Sequence, residues 1–169
     1  MLFRSEVLTG MSMQYFGTGE YPYKTILKQT DCESIADDLS QIGYGTHVVH
    51  NNTATFYSRN NAFSMMGFDT FTSKECMNIS QYTPNGNWPT DDVLVQETVK
   101  AMNATENQSD FVYTITVEGH GDYPTEKVLE NPDILVSGAA DEASNNQWEY
   151  YVNMIHEVEI GRASCRERV

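Results

Sequence analysis

The chain has 169 residues, of which 40% are hydrophobic and 20% are charged, and its net charge is −14. That apolar content indicates a globular domain and excludes a disordered chain, which carries too few apolar residues to form a core. The acidic charge argues against a nucleic-acid-binding protein, which normally presents basic residues to phosphates. No apolar run approaches the roughly eighteen residues of a membrane-spanning helix.

The first predicted element is a helix over residues 31–42. Thr30 and Glu33 have the spacing of a capping box at its start, and Gly43 is a typical helix terminator. Residues 44–50, YGTHVVH, follow the helix directly and are rich in β-branched side chains. That composition predicts a buried strand.

The later elements alternate between helix and strand. A short helix begins at Ser58 or Arg59 and ends at Gly67, because glycine favours helix termination. The other predictions are an extended piece over 68–72, a loop over 78–90, a helix over 91–102, a strand over 111–117, irregular structure over 125–140 and a helix over 141–158. On this last helix, the spacing places Trp148, Tyr151, Met154 or Ile155, and Val158 on one face. This alternation predicts an α/β fold with mostly parallel strand pairing.

Both ends of the chain differ in composition from the rest. The last nine residues, GRASCRERV, contain three of the ten basic residues. They resemble the translation of a common sequencing adapter, and Leu2 to Ser5 resemble the translation of its other strand. We therefore expect residues 1–5 and 160–169 to be adapter-like artefacts and residues 6–159 to be the natural segment. The alternative is a genuine basic tail.

The cysteines Cys32, Cys76 and Cys165 have neither the Cys-x-x-Cys nor the Cys/His spacing of a zinc site. Cys32 and Cys76 could form a disulfide in an extracellular domain, although spacing alone does not show that they are close. The cysteines therefore predict no metal site, and their pairing stays open.

The polar segment HNNTATFYSR, from His50 to Arg59, is the strongest candidate for a ligand site. Arg59 is the only arginine between residues 5 and 161, and a guanidinium offers a planar fork of donors that matches phosphate or carboxylate oxygens. His50, Asn52 and Tyr57 add further polar groups at the end of a predicted strand. We interpret the segment as an anion clamp. The alternative is an arginine paired with a nearby aspartate in an ordinary fold.

His120 is the second candidate for ligand binding. It follows the predicted strand over 111–117 and lies between Gly119 and Gly121. Open α/β sheets bind ligands beyond the carboxyl ends of their strands, and the two glycines would let the backbone approach a substrate closely.

Two other features give weaker signals. His47 lies out of phase with His50 on the predicted strand and is interpreted as a core or edge histidine. The segment GTGEYPYK, at residues 17–24, contains two glycines but lacks the residue order of a P-loop. It therefore predicts phosphate binding only weakly.

The chain resembles the extracellular catalytic domain of the lipoteichoic acid synthase family in three ordered strings, TDCESIADDLSQIGYGTHVVHNNTATFYSRNNAFSMMGFDTF, TITVEGHGDYP and WEYYVNMIHEVE. The similarity covers nearly all of residues 6–159. It implies a partial sandwich of the alkaline phosphatase and sulfatase superfamily, truncated at both ends, in which helices flank a mostly parallel central sheet. Members of this family are membrane proteins that transfer glycerol phosphate from phosphatidylglycerol to a growing polymer through a phosphothreonine intermediate on a manganese ion.

By motif, the resemblance assigns His50, Asn52, Tyr57 and Arg59 to the family's substrate pocket, whose best-known form reads HxDxxxFWxR. Asn52 stands here in place of an aspartate and Tyr57 in place of a tryptophan, so the preference for a head group can differ. His120 matches the family histidine that contacts the transferred phosphate.

The same resemblance places the reacting groups outside this sequence. The nucleophilic threonine would lie about six residues before Glu6, a metal-binding glutamate would lie upstream, and an Asp-His metal pair would lie beyond the helix that ends near Val158. We therefore expect Mn²⁺ to belong to the intact enzyme, no metal to bind this fragment, and the fragment to be inactive by itself.

The resemblance also implies a location and partners. The intact protein is expected in the cell membrane of a Gram-positive-type bacterium, with its catalytic domain on the extracellular side. Its expected partners are phosphatidylglycerol and a glycerol-phosphate polymer. Two alternatives stay open: a sulfatase or phosphatase-type hydrolase of the same superfamily, and a non-catalytic domain that binds anionic glycans.

Overall fold

A computed structural model describes the backbone of residues 2–166 and the side chains of residues 5–12 and 14–159. The chain divides into two compact units. Unit 1 consists of Met1–Met77 and Gln96–Ile115, and unit 2 consists of Asn78–Val95 and Thr116–Val169. The candidate segment from His50 to Arg59 lies in unit 1, and His120 lies in unit 2.

The described residues form five α-helices and three β-strands. The helices are α1 (Leu2–Thr9), α2 (Ile35–Gln41), α3 (Arg59–Met65), α4 (Asp92–Met102) and α5 (Glu142–Arg166). The strands are β1 (Tyr44–His50), β2 (Thr70–Ser73) and β3 (Ser109–Ile115). Short 3₁₀ helices occupy Met13–Tyr15, Pro22–Lys24, Ile26–Lys28, Phe56–Ser58 and Lys74–Cys76. The predicted α/β class is confirmed.

The three strands of the described chain form one parallel sheet in the order β2-β1-β3. β1 is the central strand, and its last residue, His50, pairs with Ser73 of β2 and Ile115 of β3. The prediction of β1 is confirmed at both ends. The prediction of β3 is two residues too late, because Tyr44 pairs with Ser109 and β1 offers no partner beyond His50.

The start of α2 differs from the prediction. The capping box is formed by Ser34 and Asp37, not by Thr30 and Glu33: the Ser34 hydroxyl accepts the Ala36 N–H at 3.0 Å, and an Asp37 carboxylate oxygen accepts the Ser34 N–H at 2.9 Å. The Ser34 hydroxyl also donates to the Met66 carbonyl at 2.6 Å. These bonds fix the start of α2 against the end of α3, so the residues before Ser34 do not continue the helix.

An aromatic cluster fills the core of unit 1. Phe63 of α3 is 1% exposed and makes edge contacts with the rings of Tyr23, Phe68 and Phe71, at centroid distances of 5.8, 5.8 and 5.0 Å. Leu27 is buried in the same cluster. Edge-to-face contacts of this kind add to the stabilisation that comes from burying the rings. The core therefore fixes both α3 and the segment around residues 22–28 against the sheet.

His47 is a structural histidine, as predicted. It is buried, its Nδ1 lies 2.8 Å from the Thr70 hydroxyl of β2, and its Nε2 lies 2.9 Å from an Asp110 carboxylate oxygen of β3. Hydrogen bonds from Thr105 and then from His47 hold the pKa of Asp110 below its ordinary value. The ring therefore connects the central strand to both of its neighbours.

The buried face of α5 differs in part from the prediction. Met154 is buried as predicted, but Trp148 is 56% exposed, and Tyr150 is buried together with the polar Glu149 and Asn153. The reason is visible in unit 2: Glu149 accepts the Val136 N–H, and Asn153 binds both backbone groups of Ile134. These polar side chains form hydrogen bonds with backbone groups of the irregular segment that precedes α5. The spacing of apolar residues along a helix does not predict such buried polar contacts.

Cys32 and Cys76 are not joined by a disulfide. Burial raises the pKa of the half-buried Cys32 thiol, with further contributions from Asp37 and Glu33. Cys165 lies outside the described side chains. Within the part of the chain that the structure describes, no helix combines the length and the apolar character needed to cross a membrane.

Candidate functional site

His50 ends the central strand and is 1% exposed. Its Nδ1 lies 2.8 Å from the Ile115 carbonyl oxygen. Because a carbonyl oxygen can only accept, Nδ1 carries the proton, and in the neutral ring Nε2 carries the lone pair. The last residue of β3 therefore fixes both the orientation and the tautomer of His50.

Arg59 begins α3 and is 4% exposed. Its Nη1 donates to the Thr53 carbonyl at 3.2 Å, and its guanidinium carbon lies 5.0 Å from the centre of the Phe56 ring. The guanidinium thus holds the loop that connects β1 to α3. Its surroundings are those of a buried cation that supports the loop from within.

Tyr57 and Ser58 have left-handed backbone conformations, with φ of 59° and 52°. For residues other than glycine such conformations are strained by about 1–3 kcal/mol each, and they persist where surrounding contacts hold them. Here the Ser58 N–H donates to the Thr55 carbonyl and the Asn60 N–H donates to the Ala54 carbonyl. Two of the four non-glycine residues with positive φ in the described part of the chain therefore lie in the segment that the sequence selected as a ligand site, and the others are Asn107 and Asp122.

Asn52 shapes the same loop. Its side-chain oxygen accepts the Thr53 N–H at 2.7 Å, and its backbone carbonyl accepts the Lys74 N–H at 3.1 Å. The carboxylate of Glu75 accepts the Ala54 N–H. Asn52 therefore orders the turn after β1 and connects it to the segment that follows β2.

An open cleft of about 410 Å³ lies beside this loop. It is lined by Lys24, Thr53, Thr55, Phe56 and Tyr57. Of the four predicted residues in unit 1, Tyr57 lines the cleft. Arg59 contacts Thr53 and Phe56, which also line it. His50 ends the strand before the loop, and Asn52 lies in the turn at which the loop starts. Lys24 was missed by sequence reasoning, although it ends the segment GTGEYPYK.

His120 is exposed and lies in unit 2. Its N–H donates to the Val117 carbonyl at 2.9 Å, and its ring centre lies 5.4 Å from that of Trp88. Trp88 in turn donates its indole N–H to the Gly121 carbonyl at 3.1 Å. Gly119 has a structural explanation, because an added Cβ would lie 3.2 Å from Ile155 Cδ1 of α5.

Glu118 is a buried carboxyl group next to the predicted glycine-histidine motif, and sequence reasoning did not select it. It is 8% exposed, and one of its oxygens accepts the Asp91 N–H at 2.6 Å. Burial raises its pKa from 4.5 to about 7; the Asp91 hydrogen bond opposes this shift, and the charges of Asp91, Glu157 and Asp92 add to it.

Replacing Glu118 with glutamine is expected to stabilise the protein at alkaline pH. The folded protein keeps a proton on Glu118 that the unfolded chain releases above pH 4.5, so the wild type loses stability as pH rises toward about 7. Glutamine keeps an oxygen for the Asp91 N–H but never ionises. The advantage of Glu118→Gln in melting temperature should grow from about pH 5 to about pH 7 and then level off. The exposed Glu126→Gln is the control, and an advantage independent of pH would contradict the prediction.

No group of three or more histidine, cysteine, aspartate or glutamate side chains converges as a metal site among the described residues. The chemistry of the cleft is that of an anion and hydroxyl binder: it offers an ammonium group, hydroxyl groups and aromatic rings.

Comparison with protein families gives a match to the family described as Sulfatase over residues 1–159. No curated protein sequence matches.

Three solved structures share the fold. They are the lipoteichoic acid synthase LtaP from Listeria monocytogenes (21% identity, TM-score 0.64), a protein of the alkaline phosphatase superfamily from Vibrio parahaemolyticus (20%, 0.61), and the Streptococcus pyogenes phosphoglycerol transferase GacH in complex with sn-glycerol-1-phosphate (16%, 0.74). In the same order, the matches cover 95%, 95% and 96% of this chain. They cover only 39%, 38% and 42% of the length of the solved chains. The resemblance to the lipoteichoic acid synthases is confirmed at the level of the fold.

Proposed function

The chain belongs to the sulfatase family, and from this membership we propose that it is the substrate-binding part of a phosphoglycerol transferase. The observation that carries the proposal is the cleft lined by Lys24 and by the loop residues Thr53, Thr55, Phe56 and Tyr57. Buried Arg59 holds this loop through its hydrogen bond to the Thr53 carbonyl. A glycerol phosphate ester presents charged oxygens, hydroxyl groups and a short carbon chain. Cations, hydroxyl groups and aromatic rings are the matching partners.

The proposed roles follow from these positions. Lys24 supplies positive charge at the wall of the cleft for the phosphoryl oxygens, and buried Arg59 adds positive charge from within the loop. Preorganised cations stabilise the charge that spreads over these oxygens during transfer. The threonine hydroxyls that line the cleft hydrogen-bond the glycerol. The resemblance gives His50, Asn52 and Tyr57 a place in the substrate pocket, and we keep it as a proposal. The contact of His120 with the transferred phosphate rests on the resemblance alone.

For the intact protein we propose anchoring in the cell membrane, a catalytic domain on the extracellular side, and transfer of glycerol phosphate from phosphatidylglycerol to a polymer with Mn²⁺. Support comes from the fold shared with a lipoteichoic acid synthase and a phosphoglycerol transferase. Turnover is proposed to need the threonine and metal ligands that the resemblance places outside residues 6–159. The 169-residue chain is proposed to bind the substrate head group without converting it.

Calorimetric titration of the 169-residue chain tests the proposal. We expect sn-glycerol-1-phosphate to bind at least about tenfold more tightly than glycerol, because glycerol lacks the charge that the cations recognise. An aryl sulfate that binds more tightly than glycerol phosphate would favour the hydrolase alternative. Binding restricted to long anionic glycans would favour the non-catalytic alternative.

A further inference from the structure

Lys24 is a cation held at the wall of the cleft. Its Nζ lies 4.1 Å from the centre of the Tyr57 ring and 5.2 Å from that of Tyr21. Both distances are within the range of cation–π attraction, and the two rings lie 5.9 Å apart. The ammonium group of this cleft-lining residue therefore lies over two aromatic rings.

Among the residues whose side chains the structure describes, no carboxylate forms an ion pair with Lys24, whereas Lys100 pairs with Glu97 and His47 with Asp110. An exposed cation–π contact is weaker than a charge-assisted hydrogen bond to a phosphate oxygen. A phosphate group in the cleft would therefore draw the ammonium from the rings.

The backbone around Lys24 is fixed although its side chain is exposed. Pro22 and Tyr23 are buried in the 3₁₀ helix that ends at Lys24, and Leu27 is buried in the next one. Tyr23 contacts Phe63 of the core, and the Lys24 N–H donates to the Tyr21 carbonyl at 2.8 Å. Only the side chain of Lys24 needs to reorient to meet a ligand.

We propose that Lys24 is a specificity-determining residue of the cleft, which binds the phosphate of a glycerol phosphate group while the rings of Tyr21 and Tyr57 pack against its carbons. This inference rests on the proposed function and adds to it a cationic residue from a segment distant in sequence from the polar loop. The shared chemistry is a glycerol phosphate ester, either as a soluble molecule or as a lipid headgroup.

The test compares the wild-type chain with Lys24→Met and with Lys28→Met. Lys28 is also exposed and ends the neighbouring 3₁₀ helix, but it does not line the cleft. Each protein is titrated with sn-glycerol-1-phosphate, with inorganic phosphate and with glycerol. Flotation with phosphatidylglycerol vesicles, against phosphatidylcholine vesicles, distinguishes the lipid source from the soluble one.

We expect Lys24→Met to weaken glycerol phosphate binding by about tenfold, with glycerol unaffected and Lys28→Met like the wild type. Equal loss in both lysine variants, or none in Lys24→Met, overturns the role of Lys24 and leaves the proposed function intact. If inorganic phosphate binds in a Lys24-dependent way but glycerol phosphate binds no better, Lys24 is a phosphate ligand and the proposed function fails. If the wild type binds none of the probes, both fail.

Discussion

Replacing Arg59 with methionine is expected to weaken the binding of sn-glycerol-1-phosphate by at least about tenfold and to lower the free energy of unfolding by about 1.5–3 kcal/mol. The guanidinium is 4% exposed and donates to the Thr53 carbonyl at 3.2 Å. Methionine has a similar length but no charge and no donor, so the carbonyl loses this partner and the loop loses its support. Calorimetric titration and urea unfolding measure the two effects separately.

The conservative variant Arg59→Lys distinguishes an anion clamp from a purely structural arginine. Lysine keeps the charge but lacks the planar fork and the weakly hydrated face that lies against Phe56. If the charge itself attracts the ligand, Arg59→Lys should recover part of the affinity lost in Arg59→Met, and the recovered part should weaken as salt is added. If Arg59 only supports the loop, Arg59→Lys and Arg59→Met should lose the same affinity as each other. In each variant the loss should then be the same for charged and for uncharged ligands. Wild-type affinity in Arg59→Met would contradict any part in binding.

The sequence predicted those elements in which local signals and packing agree. β1 was predicted correctly because its β-branched residues suit a central strand that is buried along nearly its whole length. The end of α3 was predicted correctly because Gly67 has a φ of 76°. The start of α2 was wrong because two capping boxes are encoded within a few residues, at Thr30 and at Ser34. A bond from Ser34 to Met66, which lies far along the chain, selects the second one.

The candidate site shows the same limit. The motif from His50 to Arg59 is continuous in sequence, so it was selected as a group, and the structure places its strained backbone at a cleft. Lys24 was missed because it contacts Tyr57, a residue distant in sequence, and no local sequence pattern predicts that contact. Glu118 was missed because an acidic residue in an acidic chain is unremarkable until its burial is known. Contacts between distant residues, and burial of single polar groups, are what the sequence leaves undetermined.

Replacing Gly67 with alanine is expected to lower the free energy of unfolding by about 2–4 kcal/mol. The positive φ of 76° accounts for part of this loss, because a side chain strains that conformation. The larger part is steric: an added Cβ would lie 2.6 Å from Asp37 Cγ and closer still to Oδ1. Asp37 cannot move away freely, since its carboxylate accepts the Ser34 N–H that begins α2.

Gly86→Ala is the matched control, because Gly86 has the same φ of 76° but nothing within 4 Å of an added Cβ. It measures the backbone strain alone, so the difference between the two variants in urea unfolding gives the steric part. Asp37→Ala removes the obstructing carboxylate, and the double variant with Gly67→Ala should therefore be more stable than the sum of the two single losses predicts. Equal losses in Gly67→Ala and Gly86→Ala, or simple additivity with Asp37→Ala, would show that the end of α3 accommodates a side chain and that its contact with the start of α2 is not tight.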